Sequence, residues 1–118
     1  REYENLEYLQ IVHYPVGGYF IPHYDSMKTN TFNLINSREY TLLLYLNDVE
    51  EGGETIFPHL NVAIKPKKGN GVLFRTLDKN DNIIFESLHG SKPILKGEKW
   101  ICNKWIHNKK IDNVLNQM

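Results

Sequence analysis

The stretch EYTLLLYLN, residues 39–47, is apolar on both alternating faces. A strand sends successive side chains to opposite sides, so a segment like this belongs in the middle of a sheet as a central buried strand. On its N-terminal side, YLQIVHY (8–14) and YFIPHYD (19–25) are rich in aromatic and β-branched residues. The turn signal PVGG between them predicts a hairpin. Residues 26–38, SMKTNTFNLINSR, are polar and Asn-rich and read as a loop. On the C-terminal side, ETIFP, NVAIK and VLFR read as short strands, separated by the turns DVEEGG and PKKGNG. LDKNDN is a loop, and IIFESLHG and KWICNKWIH are expected as the last strands. The tail NKKIDNVLNQM is expected to form a short helix. Many short strands broken by Gly, Pro and Asn turns predict a mainly β protein, a sandwich or barrel.

A chain of 118 residues predicts one domain over 1–118, and 41% hydrophobic residues suffice for one modest core. Lys plus Arg and Asp plus Glu number 14 each, so the formal net charge is zero. The absence of a basic excess or stripe argues against nucleic acid or an anionic membrane surface as partner. The longest apolar run, around TLLLYL, is too short to span a bilayer. No signal-peptide pattern is read at the N-terminus, which opens on Arg1. Cys102 is the single cysteine, so neither an internal disulfide nor a Cys-rich zinc site is expected. The compartment stays open between a secretory lumen and the cytoplasm, as does the oligomeric state.

His23 and Asp25 stand two apart in YFIPHYD, so both side chains emerge on one face of a strand. Imidazole and carboxylate belong to the two-His-one-carboxylate ligand set of non-haem Fe(II) sites, which needs one more histidine from another strand. The candidates are His13, His59, His89 and His107. His89 is favoured because it follows an apolar strand and precedes a glycine turn. The plain alternative is a solvated or hydrogen-bonded His/Asp couple. Ten residues after His89 comes Lys99, in KGEKWICNKWIH. With period two, Lys99, Ile101, Asn103, Trp105 and His107 share a face that Ile101 and Trp105 mark as buried. A lysine there is costly unless paired with an anion, or unless it snorkels from the strand end. A bound dicarboxylate would serve.

The segments VHYPVGGYFIPHYD, YTLLLYLNDVEEGGETIFP, IKPKKGNGVLF, SLHGSKPILKGEKW and KWIH run in order from about residue 10 to residue 107. Together they resemble the Fe(II)/2-oxoglutarate-dependent prolyl 4-hydroxylases of the collagen-modifying type. The resemblance implies a double-stranded β-helix, a cupin-like jelly roll whose open end holds the metal. It implies that His23, Asp25 and His89 bind Fe(II) and are catalytic together with Lys99. Lys99 would bind the C5 carboxylate of 2-oxoglutarate, with Tyr14 and Thr55 beside it and Trp105 packed against the co-substrate. Lysine at this place matches the collagen type, where lysyl hydroxylases and oxygen-sensing prolyl hydroxylases have arginine. O2 is implied as second co-substrate and ascorbate as supporting reductant. Arg38, His107 and Phe20 fall where the family places the peptide, Phe20 standing where related enzymes have tyrosine. The loop 26–38 would close over the substrate. Helices normally precede the first strand in this family, so a supporting layer is expected to be missing from this sequence. The implied substrate is proline in a Pro-rich or collagen-like peptide. Another side chain, a small molecule, or a non-catalytic jelly-roll metal-binding module are the alternatives.

Overall fold

The computed structural model describes residues 7–28, 34–36 and 38–108. In chain order the strands among them are β1 Gln10–Tyr14, β2 Phe20–His23, β3 Met27–Lys28, β4 Leu34–Asn36, β5 Arg38–Tyr45 and β6 Glu51–Gly52. They continue as β7 Thr55–Phe57, β8 Val62–Ile64, β9 Gly71–Arg75, β10 His89–Ser91, β11 Ile94–Lys96 and β12 Lys99–His107. One four-stranded sheet has the order β1-β12-β5-β9, and the other β2-β10-β7-β8. All pairs in both are antiparallel. Two short ribbons, β11-β6 and β3-β4, flank them.

The stretch 39–47 takes the central place its composition predicts, with β5 between β12 and β9. Its burial alternates strictly. Thr41, Leu43 and Tyr45 point inward and are buried, while Leu42 and Leu44 on the other face are half-buried. The inner face is therefore the core face. Leu43, Tyr45 and Ile101 form its centre, with Val12, Tyr14, Ile64 and Val72 packed against them. Each such buried side chain stabilises the fold by about 1.5–3 kcal/mol relative to exposure. The second sheet closes over this face. The Tyr45 hydroxyl meets Thr55 Oγ1 at 2.6 Å. Phe57 packs edge-on against Phe74, with centroids 5.1 Å apart. Two facing antiparallel sheets with these crossovers make a jelly roll, as expected.

Three local expectations change. IIFESLHG is not a continuous strand: Phe85–Ser87 is a 3-10 turn, and β10 begins only at His89. The reason is local, because both the backbone N–H and the hydroxyl of Ser87 donate to the Ile84 carbonyl and so compete with a sheet ladder. The stretch 26–38 is not wholly loop, since Met27–Lys28 and Leu34–Asn36 pair antiparallel. In the turn DVEEGG, Gly52 and Glu51 pair with Ile94 and Lys96. Gly52 has φ +85, and a Cβ there would lie 2.3 Å from the Pro93 carbonyl oxygen, so only glycine fits. The expected C-terminal helix lies outside the described residues.

Gly90 sits between His89 and Ser91, where β10 is sandwiched between β2 and β7. A Cβ at this place would come within 2.7 Å of the Phe20 carbonyl oxygen and 2.9 Å of the Pro22 nitrogen, both backbone atoms. Gly90→Ala is accordingly expected to destabilise the protein by about 2 kcal/mol or more, read as a lower urea midpoint at unchanged m-value. An unchanged midpoint would show that β2 can yield.

Candidate active site

The pairing of β2 with β10 sets His23 directly opposite His89, and the two rings lie 4.5 Å apart. Asp25, just past β2, is buried, and its Oδ1 lies 3.3 Å from Nε2 of both histidines. One ligand atom from each of the three lies within 4.8 Å of the others. The neighbouring backbone aims these atoms. The Ile21 carbonyl lies 3.0 Å from Nδ1 of His23, and the Ser87 carbonyl 2.8 Å from Nδ1 of His89. A carbonyl only accepts, so both Nδ1 atoms carry hydrogen and both Nε2 atoms face Asp25. The other carboxylate oxygen, Oδ2, is engaged from behind. It accepts from Thr41 Oγ1 at 2.5 Å and from Trp105 Nε1 at 3.3 Å, which leaves Oδ1 toward the imidazoles.

The electrostatics follow from this geometry. Burial pushes the Asp25 carboxyl up. The bonds to His23 and His89, the charge of His89 and the Thr41 hydroxyl outweigh it, holding Asp25 far below the ordinary carboxylate range. Burial likewise pulls His23 down, but Asp25 and the Ile21 carbonyl win and raise it. A divalent ion would be held between the two Nε2 atoms and the carboxylate oxygen. Two imidazole nitrogens and one carboxylate oxygen converging from one side fit Fe(II) with open positions.

A cavity of about 400 Å³ opens beside this cluster. Lys99 lines it and is only 1% exposed. Its Nζ donates to the Gly53 carbonyl at 2.7 Å and to Ser91 Oγ at 2.9 Å, and lies 5.3 Å from the Tyr14 ring centroid. Burial lowers its pKa to about 8 against the opposing field of Glu54. Among the described residues no carboxylate makes an ion pair with it. A buried ammonium without a contacting counter-charge favours an anionic ligand in this cavity.

His23, Asp25, His89, Lys99, Tyr14, Thr55, Trp105, Arg38 and Phe20 all line the cavity, whereas His107 does not. His107 Nε2 is instead 2.5 Å from Glu7 Oε2. The same Glu7 carboxylate holds Arg38 through two bonds of 2.7 and 3.1 Å. The Arg38 guanidinium in turn lies 3.7 Å above the Trp105 ring. Trp105, expected beside the co-substrate, thus also braces Asp25. Phe20 is half exposed and packs its ring against His23 at 4.3 Å. His13 stacks on Trp100 and bonds to Glu98, and His59 stacks on Phe85, so both are engaged elsewhere. Sequence reasoning missed Glu7, Thr41, Tyr45 and Ser91. Strand parity was the available signal for three of them: Thr41 and Tyr45 share the inner face of β5, and Ser91 lies two residues past His89.

A jelly roll that gathers two imidazoles and a carboxylate beside a buried lysine has the makings of a metal-dependent oxygenase. The chain belongs to the 2OG-Fe(II) oxygenase superfamily, whose model matches residues 9–107. It is 38% identical to prolyl 4-hydroxylase 13 of Arabidopsis thaliana, over 90% of this chain and 44% of that protein. It is also 38% identical to prolyl 4-hydroxylase subunit alpha-2 of Gallus gallus, over 90% of this chain and 20% of that one. The chain therefore spans less than half the length of these relatives. Its fold matches the crystal structure of a viral collagen prolyl hydroxylase from Paramecium bursaria Chlorella virus-1, solved as a 2OG complex. The TM-score is 0.84 at 39% identity, covering 90% of this chain and 61% of that one. A cupin from Desulfovibrio desulfuricans matches with TM-score 0.53 at 12% identity, which reflects the fold alone. No helix among the described residues is long and apolar enough to cross a membrane.

The Glu7 clamp makes a pH-dependent contribution. Burial raises its carboxyl, but bonds and charges of His107 and Arg38 bring it down to about 2 from 4.5. A depressed folded value means that the stabilisation is complete above pH 4.5 and is lost as pH falls toward 2. The stability gap between wild type and Glu7→Gln should therefore narrow across that window in thermal unfolding. A constant gap would show that the clamp does not act through this charge.

Proposed function

We propose that this chain carries the catalytic machinery of a peptidyl-proline 4-hydroxylase that uses Fe(II), 2-oxoglutarate and O2. One observation carries the reading: a single cavity holds the converging His23, Asp25 and His89 and the buried Lys99, which makes no ion pair with a carboxylate among the described residues. In this reading Nε2 of His23, Nε2 of His89 and Oδ1 of Asp25 hold the iron. With its co-substrates bound, the iron would supply the oxidative decarboxylation of 2-oxoglutarate to succinate and CO2, one atom of O2 entering succinate and the other the new hydroxyl.

The protein's part is to place and shield. The Ile21 and Ser87 carbonyls and the Thr41 and Trp105 donors fix the three ligand atoms before a metal arrives, which saves reorganisation on binding. Lys99 binds the C5 carboxylate of 2-oxoglutarate by a charge-assisted contact, with Tyr14 and Thr55 alongside. The low exposure of Lys99 and Thr55 excludes water around that end of the co-substrate. Phe20 and Arg38 lie on the cavity wall where an extended peptide would pass, and His107 supports Arg38 through the shared Glu7. Proline as the hydroxylated residue is supported by the names of the plant, animal and viral relatives and by lysine at position 99. Pro-rich or collagen-like peptides are the proposed substrates, and ascorbate the reductant that sustains turnover.

The test is incubation with Fe(II), 2-oxoglutarate, ascorbate and Pro-rich peptides. Succinate should form together with a peptide heavier by one oxygen atom, carried as hydroxyproline. No succinate under any condition would refute the enzyme reading, and succinate without hydroxyproline would refute the substrate. His89→Ala should abolish iron-dependent turnover. Lys99→Ala should raise the KM for 2-oxoglutarate by on the order of tenfold or more while the peptide KM changes little.

A further inference from the structure

We propose that Ser91 is a co-substrate-binding residue, which fixes the Lys99 ammonium and donates a hydrogen bond from its hydroxyl to the distal carboxylate of the 2-oxo acid. This rests on the reading of the cavity given above. Ser91 lies two residues after His89 in β10, so both side chains leave the same face of the strand. It stands opposite Thr55 of β7 in register. It is 8% exposed and lines the cavity.

A donor inventory sets its role. Ser91 Oγ accepts from Lys99 Nζ at 2.9 Å, so its own hydrogen points elsewhere. The acceptor it has, the Lys92 carbonyl, is 3.4 Å away, a long bond for a hydroxyl. Lys99 places two of its three N–H groups on the Gly53 carbonyl and Ser91, leaving one for a ligand. Thr55 also lines the cavity, and with Tyr45 as donor to Thr55 Oγ1 the Thr55 hydrogen is available to the same ligand. Three donors thus surround one end of the cavity. A carboxylate has the lone pairs to accept all three, and burial makes leaving them unmet costly.

The placement also bears on selectivity. One short strand carries both the imidazole of His89 and the hydroxyl of Ser91. The distance between the metal end and the carboxylate end of a bound 2-oxo acid is therefore set by two residues of rigid backbone. A flexible lysine alone would tolerate diacids of several lengths. A lysine tied to Ser91 and Gly53 would not.

The experiment is calorimetric titration of the Mn(II)-loaded protein with 2-oxoglutarate and, separately, with 2-oxovalerate. The second compound keeps the same metal-binding end and lacks the distal carboxylate. Ser91→Ala should weaken 2-oxoglutarate binding about tenfold, leaving the affinities for 2-oxovalerate and Mn(II) as in wild type. Ser91→Cys, whose thiol is a poor donor at similar volume, should show the same selective loss, so the outcome does not hang on one variant. Unchanged 2-oxoglutarate affinity in both variants would overturn the proposal. Equal weakening of both compounds would also overturn it, since that marks a role in packing alone. Wild-type protein that binds Mn(II) but not 2-oxoglutarate would refute the reading of the cavity itself, and the assignment of Ser91 with it.

Discussion

The antiparallel pairing of β10 with β2 puts His89 opposite His23, and the rest of the site is built around that contact. β10 has only three residues, all buried. Gly90 lets it lie against the backbone of β2, while its other edge pairs with β7. Its His89 meets the acidic oxygen of Asp25, and its Ser91 meets Lys99. A short strand held on both edges has little freedom to shift register. That stiffness suits a site whose parts must keep fixed separations.

The cavity joins two opposite electrostatic situations. Toward the histidines, an anionic oxygen sits under two imidazole nitrogens and calls for a cation. Toward β12, a buried ammonium faces hydroxyls and a carbonyl and calls for an anion. Neither arrangement is comfortable without a ligand, because buried charge without full pairing is costly. A metal ion together with a dicarboxylate satisfies both at once, which is why membership of the oxygenase superfamily and the chemistry of the cavity agree. The remaining wall is braced from outside. Glu7 holds Arg38 over Trp105, and Trp105 bonds to Asp25.

What the sequence made legible was whatever strand parity controls. His23 with Asp25, and Lys99 with Ile101, Trp105 and His107, are same-face sets at even spacing; those four residues of β12 are buried, while the alternation breaks at Cys102, also buried, and Asn103, half-buried. The central place of residues 39–47 followed from their composition. Contacts between distant segments were not legible. Glu7 reaches Arg38 and His107 across 31 and 100 positions, and no local pattern announces such a clamp. The family resemblance places His107 near the peptide, and its bond to Glu7 adds a partner that no local pattern shows. Ser87 was hidden differently: apolar neighbours suggested a strand, and a side-chain bond to Ile84 made a turn. Ser91 was overlooked because a serine beside a glycine reads as turn chemistry. Its role is visible only once Lys99 is seen to bond to it.

Nε2 of His23, Nε2 of His89 and Oδ1 of Asp25 are the three atoms proposed to hold the metal. Anomalous diffraction from crystals grown anaerobically with Fe(II) and 2-oxoglutarate tests this assignment most directly. One iron peak is expected, bonded to Nε2 of His23, Nε2 of His89 and Oδ1 of Asp25, with the co-substrate's far carboxylate at Lys99. Iron bound elsewhere, or held through an Nδ1 atom, would contradict it.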